Sequence, residues 1–158
     1  MANTAKMLFY PFKGSESISQ IYTCEAKTHI ELPLYSCPIS AGFPSPADDH
    51  IEKKLDLNEL LIKNPAATFS VRVNGDSMKG AGINHDDILI VDRSVKPMDG
   101  KIVIAVVDNE LVVKRLKIDH DKYYLVPENP DYQTIEITEF MEFQIWGVVV
   151  SSVRPKLF

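Results

Sequence analysis

The hydrophobic positions of the chain change their period part-way along. Through residues 1–41 they follow no steady repeat. Residues 28–32 alternate like a short strand until Pro33 and Pro38 interrupt them. The stretch Ser40-Ala41-Gly42-Phe43-Pro44-Ser45-Pro46-Ala47-Asp48-Asp49 follows, where Pro and Gly favour an extended, accessible chain and predict a boundary. Asp56-Leu57-Asn58-Glu59 then has the spacing of a capping box, an acidic N-cap with Glu three residues on, and Leu57, Leu60 and Leu61 recur at helical spacing. This predicts a short amphipathic helix with one apolar face, ended by Asn64-Pro65. Beyond it, runs rich in Val, Ile, Tyr and Phe predict strands at 68–73, 88–91, 102–107, 111–116, 123–126, 134–137 and 143–150. Asp108-Asn109 separates two of them as a tight hairpin turn. The expected fold class is mainly β, an antiparallel domain (42–158) with one short helix and an extended N-terminal arm (1–41).

Composition narrows the function classes. A chain of 158 residues suits one compact domain plus an arm, and 45% apolar with 25% charged residues is an ordinary globular composition. The net charge of −5 falls wholly on 42–158, because 1–41 carries three Lys and three Glu. An acidic body is a poor partner for a phosphate backbone, and no helix-turn-helix pattern is present, so no direct nucleic-acid binding is expected. Any role in nucleic-acid biology should run through protein partners. No apolar run approaches the ~20 residues of a membrane span. Pro11 and Lys13 cut short the Met7-Leu8-Phe9-Tyr10 patch before it could form a signal core, so the expectation is a cytoplasmic protein. Cys24 and Cys37 match no metal spacing and read as reduced and non-catalytic; Asp86-Asp87 reads as a solvated turn. No cofactor or metal is expected.

Three features carry chemistry. In Val73-Asn74-Gly75-Asp76-Ser77-Met78, Gly75 permits a sharp turn that would expose the Ser77 hydroxyl and aim successive backbone N–H groups at one point, as an oxyanion hole requires. The other reading is a plain polar turn. Lys114 lies inside Leu111-Val112-Val113-Lys114-Arg115-Leu116, where strand alternation places it with Val112 and Leu116 on one face. Burial there would disfavour the ammonium and turn the amine into a base for Ser77. The alternative is an edge lysine whose stem packs while its head reaches water. Ala41-Gly42 joins two small residues in an extended segment and is open to attack. The 35 residues from Gly42 to Ser77 could span ~115 Å, so reach does not separate cleavage within a chain from cleavage between chains. Among the histidines His29, His50, His85 and His120, the flanks Asn84-His85-Asp86-Asp87 and Asp119-His120-Asp121 are polar and turn-like, and no second motif recommends a His-based triad.

In order and separation, several segments together resemble the LexA-like self-cleaving serine peptidases, in their UmuD-like branch. They are Ala41-Gly42-Phe43-Pro44-Ser45-Pro46, Asp56-Leu57-Asn58-Glu59-Leu60-Leu61-Ile62, Gly75-Asp76-Ser77-Met78 and Asp87-Ile88-Leu89-Ile90-Val91-Asp92. Val113-Lys114-Arg115-Leu116, Val126-Pro127-Glu128-Asn129-Pro130 and Trp146-Gly147-Val148-Val149 complete the set. The resemblance covers 42–158 and implies a LexA/UmuD-like β peptidase domain. It implies Ser77 as nucleophile, Lys114 as general base, Ala41-Gly42 as scissile bond, and the amides of Asp76 and Ser77 as oxyanion hole. It further implies a homodimer, cleavage stimulated by a RecA filament on single-stranded DNA in the SOS response, and service to a UmuC-type polymerase in translesion synthesis. Residues 1–40 are longer than that branch's arm and unlike it, which leaves room for a second role such as holding a partner. Two rivals share the body: a catalytically silent binding module, and a regulator from a phage or mobile element acting on a repressor or polymerase. A membrane signal peptidase uses similar chemistry but needs an anchor that the sequence does not supply.

Overall fold

A computed structural model describes residues 17–23, 29–35 and 51–156. Ten strands and one helix follow in the order β1 (Ile18–Thr23), β2 (Glu31–Tyr35), β3 (Ile51–Asp56), α1 (Leu57–Leu61), β4 (Thr68–Val73), β5 (Ile88–Asp92), β6 (Ile102–Val107), β7 (Glu110–Asp119), β8 (Lys122–Val126), β9 (Ile135–Glu136) and β10 (Phe143–Val153). Eight strands form one antiparallel sheet in the order β1-β4-β5-β10-β6-β7-β8-β9, and β2 pairs with β3 in a separate hairpin. The expected fold class is the observed one. No helix among the described residues is long and apolar enough to cross a membrane.

The central strands are apolar at successive positions because both of their faces are covered. Ile104 of β6 with Leu111 and Val113 of β7 joins a cluster that includes Phe69, Val71, Leu89 and Val91. The alternate residues Val103, Ala105 and Val107, with Val112 and Leu116, join a second cluster around Leu125 and Val148. A strand buried on both sides needs no polar face, so its sequence reads as an unbroken run. Two register shifts in β10, at Ile145/Gly147 and Val149/Ser151, bend this long strand as it bridges β5 and β6. At Asp108-Asn109 both residues take positive φ, 46° and 68°, which matches the twist of the strands in a two-residue turn.

The elements before residue 57 depart from the expectation. β1 pairs with β4 at the edge of the sheet, and only Ile18 of its six residues is fully buried. A strand that inserts a single side chain leaves no alternation to read. β2 runs through Pro33 instead of stopping at it; a two-stranded hairpin has a free edge on each strand, where a missing N–H costs nothing. β3, IEKKLD, is too charged to read as a strand and is held by its pairing with β2.

The helix starts as predicted and stops early. Asp56 Oδ1 accepts from the N–H groups of Asn58 (2.7 Å) and Glu59 (3.3 Å), while Oδ2 accepts from Ile30 at 3.1 Å. Burial pushes the Asp56 carboxyl upward, but those three N–H groups outweigh it and hold it below the ordinary carboxylate range. The last turn closes with Ile62 N–H on Asn58 O, ahead of Asn64-Pro65. Leu57 and Leu60 stay exposed, so the expected apolar face is not buried within this chain's described residues.

Ile18 is 1% exposed and belongs to the first cluster, so the N-terminal segment contributes directly to the core of the body. Ile18→Ala should cost about 2–5 kcal/mol. Urea unfolding of the full-length chain would check this; a loss below ~1 kcal/mol would mean that β1 adds little to the body's stability.

Candidate active site

The chain leaves β4 at Val73 and turns back toward β5. Gly75 takes φ 86°, a left-handed conformation that a Cβ would resist, and its N–H donates to His85 Nδ1 at 3.2 Å. Met78, 1% exposed, fixes the far side of the turn in the core. A single 3-10 turn, Lys79–Ala81, closes it with Ala81 N–H on Met78 O at 3.0 Å. Ser77 is thus held between a left-handed glycine turn and a core anchor.

β7 supplies Lys114 at the point where its neighbour departs. β8 pairs with β7 only from Arg115↔Val126 to Asp119↔Lys122, so β7 up to Lys114 has no β8 partner. After Val126 the chain meets Pro127 and crosses to the serine turn. There Glu128 N–H donates to Ser77 O at 2.9 Å, and Gly80 N–H donates to Glu128 O at 2.7 Å. A Cβ on Gly80 would lie 2.4 Å from Glu128 O, so this approach of two backbones requires glycine. Arg115 pairs with the Glu128 carboxylate and also donates to Gly100 O at 2.6 Å, tying the crossing segment to the residue after the lysine.

These supports bring Lys114 and Ser77 together. Lys114 Nζ donates to Ser77 Oγ at 2.8 Å and to Val113 O at 3.1 Å. The two residues are 5% and 7% exposed. The lysine head is therefore not in water, contrary to the edge-lysine alternative. Burial lowers its pKa from 10.5 to about 8. At that value roughly a tenth of the amine is neutral at pH 7, against well under a thousandth for a free lysine. A neutral amine at this distance can accept the serine proton, so the pair is competent for nucleophile activation. The Tyr132 ring covers the head with its centroid 5.8 Å from Nζ.

Asp76, beside the serine, is held at both its carbonyl and its carboxylate. Its carbonyl accepts from Lys79 N–H (3.1 Å) and from Asn129 Nδ2 (3.2 Å). Its carboxylate accepts from the Tyr132 hydroxyl at 2.8 Å and lies 3.6 Å from Lys79 Nζ. The Tyr132 hydroxyl, with help from Lys79, holds this carboxyl below its ordinary range despite some burial. In a trans peptide the N–H points opposite to the carbonyl, so pinning the Asp76 carbonyl also aims the Ser77 N–H.

The remaining expected groups are placed as follows. Ala41 and Gly42 lie outside the described residues, in the 36–50 connection between β2 and β3, and Cys24, Cys37 and His50 are also outside. His29 Nδ1 lies 2.7 Å from Asp56 Oδ2, His85 accepts from Gly75, and His120 is beside Asp119 at 2.8 Å. None of these three recorded contacts is to Ser77. Asp87 corrects the expectation of a solvated turn: it is 2% exposed, paired with Arg154 at 2.8 Å and capped by Asn84 N–H. Asn129 and Tyr132 carry no chemical signal of their own in the sequence. Asn129-Pro130-Asp131 could have been read as a turn, but nothing in it names Asp76 as the partner.

The Peptidase S24-like family matches residues 33–150. Protein SamA of Salmonella typhimurium (strain LT2) is 48% identical over 122 residues, covering 77% of this chain and 84% of SamA. Protein ImpA of Escherichia coli is 46% identical over 123 residues (77% and 85%), and protein MucA of the same species 42% over 123 (77% and 84%). With the fold, the family match and these three relatives in agreement, the chain belongs to the Peptidase S24-like family of serine peptidases.

Proposed function

We propose that this chain is a self-cleaving serine–lysine peptidase that cuts its own Ala41–Gly42 bond. The observation that carries the reading is the 2.8 Å contact between the Ser77 hydroxyl and a buried lysine amine. Neutral Lys114 takes the Ser77 proton as Oγ attacks the Ala41 carbonyl carbon. The backbone amides of Asp76 and Ser77 receive the developing oxyanion. The tetrahedral adduct collapses, the C–N bond breaks, and the lysine ammonium returns its proton to the departing Gly42 amine. Water then attacks the Ser77–Ala41 ester, again with Lys114 taking a proton, and releases 1–41 from 42–158.

Likeness to the UmuD-like branch supports the wider setting. In that setting the chain is a homodimer, a RecA filament on single-stranded DNA accelerates cleavage during the SOS response, and the 42–158 body joins a UmuC-type polymerase for translesion synthesis. The filament favours the state in which lysine and scissile segment are both docked and adds no catalytic group. An acidic body suits a role conducted through protein contacts.

Purified wild-type chain held at pH 10 should yield fragments 1–41 and 42–158 by mass spectrometry, while Ser77→Ala and Lys114→Ala stay intact. Cutting by either variant at the wild-type rate would eliminate the pair, and an uncut wild type would favour a silent binding module.

The neutral fraction of an amine with pKa about 8 rises from about a tenth at pH 7 to about nine-tenths at pH 9. Self-cleavage should therefore speed up roughly tenfold over that interval and level off above it. A flat pH–rate profile would argue against lysine as base.

Folding should show the same lysine. Its folded pKa is depressed, so between about 8 and 10.5 the unfolded chain binds more protons and stability rises with pH. Lys114→Met should gain stability over wild type at pH 7, with the advantage shrinking toward pH 10.5. Parallel urea-unfolding curves for the two proteins across that range would contradict it.

A further inference from the structure

We infer that Asn129 is a positioning residue of the reaction proposed above, acting through the peptide that joins Asp76 to Ser77. This rests on the proposed self-cleavage and adds to it the group that sets the oxyanion amide.

The buried polar side chains among the described residues are Asp56, Thr68, Ser77, Asp87, Asp92, Lys114 and Asn129. Four have local structural work. Asp56 caps α1, Thr68 Oγ1 donates to Asn64 O, Asp87 pairs with Arg154, and Asp92 accepts from the Ser94 N–H and hydroxyl. The other three, Ser77, Lys114 and Asn129, meet in one place although they come from three separate parts of the chain.

Asn129 is 3% exposed, and its amide has two partners that fix which way it faces. Oδ1 accepts from Asp131 N–H at 3.1 Å, and Nδ2 donates to Asp76 O at 3.2 Å. The first contact needs an acceptor and the second a donor, so a flipped amide would satisfy neither. The side chain reads its own turn with one end and the nucleophile turn with the other. Asp76 O belongs to the peptide whose N–H is that of Ser77. Rotating that peptide by a few tens of degrees would leave the serine hydroxyl and lysine where they are but swing the amide away from the oxyanion. Lys79 N–H alone, at 3.1 Å on the same carbonyl, comes from the turn itself and moves with it. Asn129 ties it instead to a separate segment, anchored by Glu128 N–H on Ser77 O and by Tyr132 N–H on Asn129 O.

This placement predicts a separation between two observables. Lys114 sets the pH midpoint of the reaction through its burial, whereas the Asp76–Ser77 peptide sets the plateau through charge stabilisation. Loss of the Asn129 amide should lower the second and spare the first. Asn129→Ser is the informative variant: its hydroxyl can still accept from Asp131 N–H, as in a serine turn, but it is too short to reach Asp76 O.

The experiment is the self-cleavage rate of the full chain from pH 6 to pH 10.5 for wild type and N129S, with thermal unfolding measured alongside. The expected result is a plateau lowered at least about tenfold, with the pH midpoint unmoved. An unchanged plateau overturns the inference, and so does a midpoint that shifts together with the plateau, since that marks a general loosening around Lys114. Should N129S not fold, Asn129→Asp keeps the volume and the turn acceptor. Its added charge raises the midpoint, yet its plateau must still fall, and a wild-type plateau in it overturns the assignment. Wild-type cleavage is the reference: its absence defeats the proposed function itself, whereas cleavage by wild type and variants alike defeats only the role of Asn129.

Discussion

The interaction on which this structure depends is the one that holds a lysine amine out of water against a serine hydroxyl. An ammonium resists burial, and folding this chain forces the choice between expelling the head to solvent and lowering its affinity for a proton. The structure does the second. Lys114 is rooted in β7, a strand with apolar clusters on both faces, so the stem has no polar side to escape along. Its head finds Ser77 Oγ and Val113 O in place of water. The burial that makes the lysine a costly resident also lowers its pKa to about 8, so the proposed catalytic role and the local instability would have one origin.

The chain that helps to enclose the lysine leaves an interrupted sheet. β8 does not run beside the whole of β7. Pairing instead stops at Arg115↔Val126, and Pro127 carries the chain across. The segment from Glu128 to Tyr132 then grips the serine turn at Ser77 O, Gly80 N, Asp76 O and the Asp76 carboxylate, while the Tyr132 ring shields the amine. One crossing segment therefore does two jobs: it anchors the serine turn and covers the lysine head. The requirement for glycine at position 80 is the steric mark of that close approach.

The hairpin of β2 and β3 is hydrogen-bonded separately from the main sheet, and the proposed scissile bond falls in the connection between its strands. β1, on the same N-terminal side of that bond, is built into the main sheet through Ile18. Cleavage as proposed would thus sever the covalent link between the body and one of its own edge strands. Release of the 1–41 fragment would then be a question of strand dissociation as well as of peptide chemistry.

The strands from residue 68 onward were legible in the sequence because burial is written into them directly: β-branched, aliphatic and aromatic residues crowd into short segments such as Ile88-Leu89-Ile90-Val91, divided by Asp108-Asn109 and similar turns. The Asp56 cap was equally plain, since a cap is made by neighbours. The N-terminal strands were not legible, because β1 buries one side chain and β3 is charged, and both are fixed by partners rather than by their own pattern. For the site, the sequence determined which residues could act: a serine after a glycine turn and a lysine among valines. Whether the lysine head lay in water or on the serine was left open, because alternation sets a face and not the endpoint of a flexible four-carbon stem. Tertiary structure decided it by bringing the serine turn onto Lys114 Nζ and holding that turn with the chain beyond Val126. It also recruited Asn129 and Tyr132, whose partners at Asp76 are more than fifty residues away in sequence and so beyond any local pattern.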